Sequence, residues 1–310
     1  MNMLQQSKKR LPGHKRSNRV GKDTIVFNIV AYAFVFIFAF FCLLPMYLVV
    51  VASFTGEGTI IREGYSFYIR DFSLEGYKIV LRNPVALTRS FVLTVMVTVI
   101  GTVVAVHMAV STGYVLSRKD FKWRNSFSYF FFFTTLFNSG LVPWYLWSSN
   151  VLKFNNSLHG LILPLLFSVW NVIIAKNYIS GISFEIIESA KIDGAGDMTI
   201  FYKIILPVCT PLLATLGLFS ALSYWNDWYN AMLFMQDTDM YTLQYYLQDT
   251  LNSVDALKRI ASQAGRSVKA MPMESMKMAM TVIVTAPILI LYPLLQKYFI
   301  SGLTIGAVKG

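Results

Sequence analysis

A short polar segment between two long apolar runs carries the residues best suited to bind another protein. Residues 188–207 read Glu-Ser-Ala-Lys-Ile-Asp-Gly-Ala-Gly-Asp-Met-Thr-Ile-Phe-Tyr-Lys-Ile-Ile-Leu-Pro. Glu188 offers a charge to a basic group on a partner, while Ala190 and Gly194, four residues apart, share one helical face. Small residues permit close approach, so the segment predicts a docking surface. On composition alone, an ordinary amphipathic connector fits these residues equally well.

Local signals predict two short helices in this segment. Ser183 can cap the first helix by accepting a hydrogen bond from a free backbone N–H group, and Gly194 can supply the left-handed residue that ends it. Asp197 can cap a second helix over residues 198–205. Pro207 is expected to break that helix, because proline lacks the backbone donor.

The composition places these elements in a membrane protein. Mean hydropathy is +0.53, 55% of residues are apolar and 14% are charged, and a span needs about 20 apolar residues. The sequence therefore predicts an all-α polytopic membrane protein in which residues 24–298 form a single six-helix transmembrane domain. The six predicted spans are Ile25–Phe54, Ser90–Leu116, Ser126–Trp147, Leu158–Tyr178, Leu212–Phe234 and Ala279–Tyr298.

The distribution of positive charge predicts the orientation. Most of the 27 Lys and Arg residues fall on the side that holds both termini, and basic loops remain in the cytoplasm. A disordered basic tail (1–23), the polar loop (179–207) and a C-terminal tail (299–310) are thus predicted to be cytoplasmic. Residues 236–277 are predicted to be external, either contacting a partner or capping the bundle. The net charge of +11 is read as this topology signal together with contacts to membrane lipids, and nucleic-acid binding is not expected.

The sequence lacks the residue patterns that several other functions require. The sequence contains no Gly-x4-Gly-Lys-Ser/Thr phosphate loop, so ATP hydrolysis is not expected in this chain. His, Asp and Glu do not cluster at metal-ligand spacing, and no nucleophile stands beside a base. An ion-coupled secondary carrier remains an alternative, although it would need acidic residues within spans that offer few.

The spacing of the polar loop closely resembles the "EAA" loop of ABC-importer permeases, through which such permeases hold their ATPase. Ser189 stands where that pattern usually has a second alanine, and both residues are small. Asn138-Ser-Gly-Leu-Val-Pro-Trp-Tyr is similar to a stretch of sugar permeases. Leu295-Gln-Lys-Tyr-Phe, with Gly302 and Thr304-Ile-Gly-Ala-Val-Lys-Gly, resembles the end of the maltose-type G permease subunit. Within that group, the chain most resembles the permeases of complex-oligosaccharide importers.

This resemblance implies a type I ABC importer permease fold in the bacterial plasma membrane. It also implies a second homologous permease, two ATPase subunits that bind ATP and magnesium, an extracytoplasmic solute-binding protein, and no cofactor in this chain. The imported solute would be a carbohydrate, with a non-sugar solute as the alternative. The residues that would couple to the ATPase are Glu188, Ser189, Ala190, Asp193, Gly194, Gly306 and Lys309.

A sugar path needs hydrogen-bonding groups and aromatic faces, and polar groups inside spans usually face the bundle interior. Two alternatives stay open: these aromatic residues anchor the helices at the membrane interface, or the partner permease holds most of the sugar. The candidate path residues are Tyr224, Asn226, Trp225, Asp227, Trp170, Asn171 and Trp144.

Overall fold

The computed structural model describes residues 22–137, 139–263 and 272–307. These residues form helices and short connections, and the only β-type pairing described in them is an isolated bridge between Thr55 and Phe72. The prediction of an all-α fold is confirmed for these residues. The predicted basic tail lies outside the described residues up to position 21, and Lys309 lies outside them as well.

The α-helices are numbered in chain order, and three short turns of 3-10 or π type lie between them. Short 3-10 turns cover Leu163–Leu165 and Thr238–Met240, and a π turn covers Phe201–Ile205. The α-helices are α1 Lys22–Ser53, α2 Glu57–Glu63, α3 Glu75–Val80, α4 Pro84–Ser117, α5 Arg124–Leu136, α6 Leu141–Asn150, α7 Leu158–Ile162, α8 Val169–Ser180, α9 Phe184–Ile192, α10 Asp197–Ile200, α11 Leu206–Val208, α12 Thr210–Trp225, α13 Tyr229–Phe234, α14 Leu243–Gln263 and α15 Met273–Ala307.

Three of the described helices are long and apolar enough to cross a membrane, namely most of α1, α4 and the first half of α15. Two further spans result if each bent pair counts as one: Leu158–Leu165 with α8, bent by 50°, and Asp197–Val208 with α12, bent by 80°. The remaining predicted span, Ser126–Trp147, falls on two separate helices, α5 and α6. The six-span count stays a prediction.

The interruption between α5 and α6 has a local cause. Phe137 is extended, and Gly140 caps α6 with a φ of +84°, a conformation that glycine adopts without steric cost. The apolar run therefore continues through the break while the helix does not. Apolar length alone could not reveal this.

By its internal contacts the chain divides after Leu48 into two units. The first holds the beginning of α1, whose large side chains, such as Phe27 and Phe36, are exposed within the chain. The second holds the end of α1 and all other helices. All further description concerns this second unit.

Helix α4 packs closely against α8 and α12. A Cβ atom on Gly101 would lie 2.4 Å from the ring of Tyr224 in α12, and one on Gly113 would lie 2.6 Å from the Cβ of Ala175 in α8. Both distances are far below van der Waals contact. These two glycines let the neighbouring helices approach the α4 backbone.

The segment between α1 and α4 holds the start of α15. The buried carboxylate of Glu57 accepts hydrogen bonds of 3.0–3.1 Å from the backbone N–H groups of Glu274 and Ser275. The first turn of a helix has free N–H groups and favours negative charge. Glu57 is therefore a cap supplied from more than 200 residues away.

The predicted external segment 236–277 begins as an ordered cap. Leu243 and Leu247 of α14 are buried with Trp225, Met276 and Met280, and the backbone N–H of Leu243 donates to the Thr94 hydroxyl at 2.8 Å. Further along α14, Leu257 and Ile260 are exposed. Residues 264–271 lie outside the described part of the chain.

Gly101→Ala should destabilise the protein, because its new methyl group would overlap the Tyr224 ring. Overpacking of this kind costs about 1–3 kcal/mol. Gly217→Ala is the matched control, since a Cβ there meets nothing within 4 Å. Thermal unfolding of the detergent-purified protein should show a lower midpoint for Gly101→Ala only. Equal midpoints would contradict the packing described for α4.

Candidate functional sites

The first helix of the polar loop has both predicted caps. The Ser183 hydroxyl accepts from the Glu185 backbone N–H at 3.3 Å. At the other end Gly194 has a φ of +82°, its N–H donates to the Lys191 carbonyl at 3.0 Å, and the Ala195 N–H donates to the Ala190 carbonyl at 2.9 Å. This pair of bonds is a Schellman motif. The predictions for Ser183 and Gly194 are confirmed.

The second helix departs from its predicted form. Asp197 lies inside the first turn of α10, and the cap residue is Gly196, which has no side chain to bond the helix. The helix also continues past Pro207 to Val208 and ends at Cys209. A π turn precedes the proline; such wide turns shift the hydrogen-bond pattern and can accommodate the missing donor. The expected Asp197 cap and the expected break at Pro207 are both wrong.

The segment from Ser183 to Val208, called here the motif hairpin, has distinct inner and outer faces. Ile187 and Ala190 are buried with Ile200 and Ile205 in one apolar cluster. The predicted small-residue docking face is therefore wrong for Ala190, which packs against its own chain. The residues that face outward are Glu188, Ser189, Ile192, Asp193, Gly194 and Met198.

Charged groups join the hairpin to the end of α4. Arg118 donates to Asp120 at 2.9 Å and pairs with Asp197, and Lys191 donates to Asp120, also at 2.9 Å. Hydrogen bonds from Arg118 and Lys191 lower the pKa of Asp120, so its carboxylate stays charged at neutral pH. The sequence reading counted these residues as topology signals and missed their pairing. The opposite charges of Arg118 and Asp120, two residues apart, were the available sign of this ion pair.

A cleft of about 400 Å³ opens at the bend between the Leu163–Leu165 turn and α8. Its polar groups are Ser168, Asn171, Ser220 and Ser223, and Trp170 is 68% exposed beside them. Ser168 caps α8 by accepting from the Asn171 N–H at 3.3 Å, and the Asn171 side chain donates to Ser220 at 3.4 Å. The cleft, called here the polar cleft, has apolar walls of Pro164, Leu165, Phe167 and Phe219.

The other predicted path residues are absent from the lining of this cleft. Tyr224 is 1% exposed, and its hydroxyl donates to the Ile162 carbonyl at 2.8 Å. Trp225 is buried and donates to the Val284 carbonyl at 3.2 Å. In this structure both side chains are buried and bond within the chain, and their contact with a sugar stays a prediction.

Asn226, Asp227 and Trp144 also have local partners. Asn226 bonds the Leu222 carbonyl and accepts from Gln244. Both carboxylate oxygens of Asp227 accept from Asn230, at 3.1 and 3.0 Å. Trp144 is half-buried and packs edge-on against Phe154. The structure thus brings together Trp170 and Asn171 among the seven predicted path residues.

Comparison with known proteins identifies the family to which this architecture belongs. Residues 109–305 match the family model described as "Binding-protein-dependent transport system inner membrane component". This match covers the hairpin, the polar cleft and most of the helical core. The chain belongs to this family. It is a multi-pass permease of the bacterial plasma membrane.

Individual relatives match over nearly their full length. The "Polygalacturonan/rhamnogalacturonan transport system permease protein YtcP" of Bacillus subtilis is 35% identical, over 92% of this chain and 99% of its own. The "Arabinooligosaccharides transport system permease protein AraQ" of Halalkalibacterium halodurans is 27% identical, over 91% and 95%. These permeases and the present chain therefore align end to end.

A solved structure agrees with the fold. The crystal structure of "a bacterial ABC transporter involved in the import of the acidic polysaccharide alginate" superposes with a TM-score of 0.74 and 28% identity, covering 90% of this chain and 98% of its own. The prediction of a type I ABC importer permease fold is confirmed at this level.

Gly194→Ala should strain the turn of the hairpin, because a side chain at a φ of +82° costs about 1–2 kcal/mol. Gly196→Ala is the matched control, since its φ is −71° and a Cβ there has open space. Limited proteolysis of membrane-embedded protein should cut the hairpin faster in Gly194→Ala. Equal cleavage rates would contradict the left-handed turn.

Proposed function

We propose that the chain is one of two permease subunits of an ATP-driven oligosaccharide importer. The observation that carries the proposal is the 35% identity over 99% of a polygalacturonan and rhamnogalacturonan permease. Permeases named for arabino-oligosaccharides and for alginate lie in the same range of similarity. The solutes named for these proteins are all carbohydrates, which supports a carbohydrate over a non-sugar solute.

The polar cleft has the chemistry of a sugar contact. Trp170 offers an exposed aromatic face, and Ser168, Asn171 and Ser223 offer neutral donors and acceptors. Pyranose rings present apolar faces and hydroxyl edges, which match such a lining. The cleft also lies at a break within an apolar span, where transporters commonly place their binding sites.

The chain order supports coupling between the cleft and the hairpin. Helix α8 begins at the cleft and ends at Ser180, three residues before the hairpin starts. Helix α12 leaves the hairpin at Thr210 and reaches the cleft at Ser220 and Ser223. At 1.5 Å per residue, each helix spans about 15–20 Å between the two sites. A rigid movement of the hairpin would therefore reach both walls of the cleft.

The outer face of the hairpin is the proposed contact with the ATPase subunits, which bind ATP and magnesium. Its exposed charges, Glu188 and Asp193, stand beside the exposed apolar residues Ile192 (81% exposed) and Met198 (74% exposed). Protein interfaces combine an apolar centre with a polar rim in this way. In the same proposal both termini lie in the cytoplasm, and Gly306, in the last turn of α15, and Lys309 contact the ATPases.

The exposed part of α14 is the proposed contact with the solute-binding protein. Leu257 and Ile260 are exposed there, whereas the first two turns are anchored in the core. This anchoring means that deletion of the whole segment would remove core residues. Surface substitutions in α14 are the cleaner probe of delivery.

Glu188→Lys should weaken retention of the ATPase subunits by about tenfold or more, because it reverses an exposed charge at the proposed interface. Co-purification from membranes, quantified as ATPase per permease, measures this. Glu75→Lys is the control: it makes the same charge change at an exposed position in α3, on the opposite predicted side. Full retention in Glu188→Lys would count against the coupling role.

Trp170→Ala should lower ATP-driven uptake because it removes the aromatic face of the cleft. Stacking of a nucleobase on an aromatic side chain is worth about 1–3 kcal/mol, and a loss of similar size here corresponds to about 5- to 150-fold. Uptake into proteoliposomes is measured with oligogalacturonides, arabino-oligosaccharides and alginate oligosaccharides. Trp147→Ala, at an exposed tryptophan of α6, is the control. Normal uptake by Trp170→Ala would show that the polar cleft is not part of the sugar path. If none of these sugars is taken up, the carbohydrate assignment is overturned.

A further inference from the structure

Arg118 occupies the point where α4 meets the motif hairpin. It is the residue directly after the last helical residue of α4, and only 13% of its side chain is exposed. Its guanidinium lies 5.7 Å from the centre of the Tyr114 ring, one turn back along α4. The side chain is therefore fixed to α4 on one side and directed at the hairpin on the other.

Both arms of the hairpin are bound at this point. In the second arm, Asp197 pairs directly with Arg118. In the first arm, Lys191 donates to Asp120, which Arg118 also holds through its Nε at 2.9 Å. The end of α4 thus connects to α9 and α10 through a four-residue group, Arg118, Asp120, Lys191 and Asp197, called here the Arg118 network.

The remaining contact between the hairpin and α4 is largely apolar, apart from a 3.4 Å hydrogen bond between the Tyr202 hydroxyl and His107 Nε2, whose rings also stack. Ile187, Ala190 and Ile200 of the hairpin pack with Tyr114 and Leu116 of α4. Apolar burial is non-directional, so small displacements of such surfaces cost little. A cavity of about 430 Å³ also lies next to the Arg118 network and leaves room for movement. The Arg118 network is therefore the charged, directional contact between the hairpin and α4, beside the hydrogen bond between Tyr202 and His107.

The planar guanidinium is suited to this connection. Arginine donates through several N–H groups in a fixed geometry and can hold two carboxylates at once, whereas lysine is a flexible point charge. Isolated surface ion pairs contribute little. Here, however, the pairs form a connected network around a largely buried Arg118.

We propose that Arg118 is a positioning residue that transmits movement of the motif hairpin to α4. The inference rests on the proposed function, in which the hairpin follows the ATPase subunits. When the hairpin moves, the Arg118 network pulls the end of α4 in the same direction. Because α4 packs tightly on α8 and α12 through Gly113 and Gly101, all three helices rearrange around the polar cleft together.

The test uses the complete complex in membrane vesicles and a probe in the cleft. Cys42→Ser and Cys209→Ala remove the native thiols, and Ser223→Cys places one thiol in the cleft. Maleimide labelling of this thiol is measured with and without ATP plus vanadate, alongside ATP hydrolysis. In the complex with native Arg118, ATP plus vanadate should change the labelling rate by about fivefold or more, the usual range of coupling between sites.

Arg118→Glu should reduce this change in labelling severalfold while ATP hydrolysis continues. Arg118→Lys should give an intermediate change, and Arg118→Glu combined with Asp197→Lys should restore part of it. Lys122→Glu is the matched control, because it reverses an exposed charge in the same connection and alters the topology signal equally. It should leave the change in labelling intact. If Arg118→Glu does not reach the membrane, Asp197→Asn, which removes one pair, should reduce the change instead.

An undiminished labelling change in Arg118→Glu would overturn the inference. So would parallel loss of labelling change, ATP hydrolysis and ATPase retention, because that pattern describes a purely structural residue. Failure of the proposed function would be visible earlier, in the complex with native Arg118: no ATPase would co-purify, or ATP plus vanadate would leave the labelling unchanged.

Discussion

The close approach of α8 and α12 to α4 governs the arrangement of both candidate sites. Gly113 admits the backbone of α8 and Gly101 admits the ring of Tyr224 from α12, at distances that no side chain on α4 would allow. The Tyr224 hydroxyl then bonds the Ile162 carbonyl, in the helix that precedes the polar cleft. The cleft exists because α8 and α12, each fixed to α4, leave space between Trp170 and Ser223.

Two long helices enter the motif hairpin and the same two helices form the walls of the cleft. This connectivity gives a direct physical route between the sites, and the proposed Arg118 network adds a second route through α4. Helices α8 and α12 act as rigid rods, and the hairpin between them has stiff caps at Ser183 and Gly194. The wide turn before Pro207 and the 80° bend that follows it are the points where the second arm can change its angle.

Some features with local causes could be predicted from the sequence, although the expected Asp197 cap and Pro207 break were wrong, and features that depend on distant residues could not be predicted. Ser183 and Gly194 act through backbone groups within a few residues, so their roles follow from spacing alone. The buried position of Ala190 depends on Ile200 and on α4, which a helical face cannot identify. Tyr224 looked like a sugar contact because it lies in a polar aromatic stretch. In the structure, however, its ring packs against Gly101 and its hydroxyl donates to the Ile162 carbonyl. The Glu57 cap on α15 joins residues more than 200 positions apart and had no signal in the sequence.

The central claim is that the hairpin contacts the ATPase subunits, because the rest of the proposed mechanism depends on this contact. A photo-crosslinking amino acid placed at Glu188 or Ile192 in intact cells tests this most directly. The account predicts adducts with the ATPase subunits from both positions and none from Glu75. Crosslinks from Glu188 or Ile192 to external proteins would contradict the account. So would labelling of position 188 in intact cells by a reagent that cannot cross the membrane.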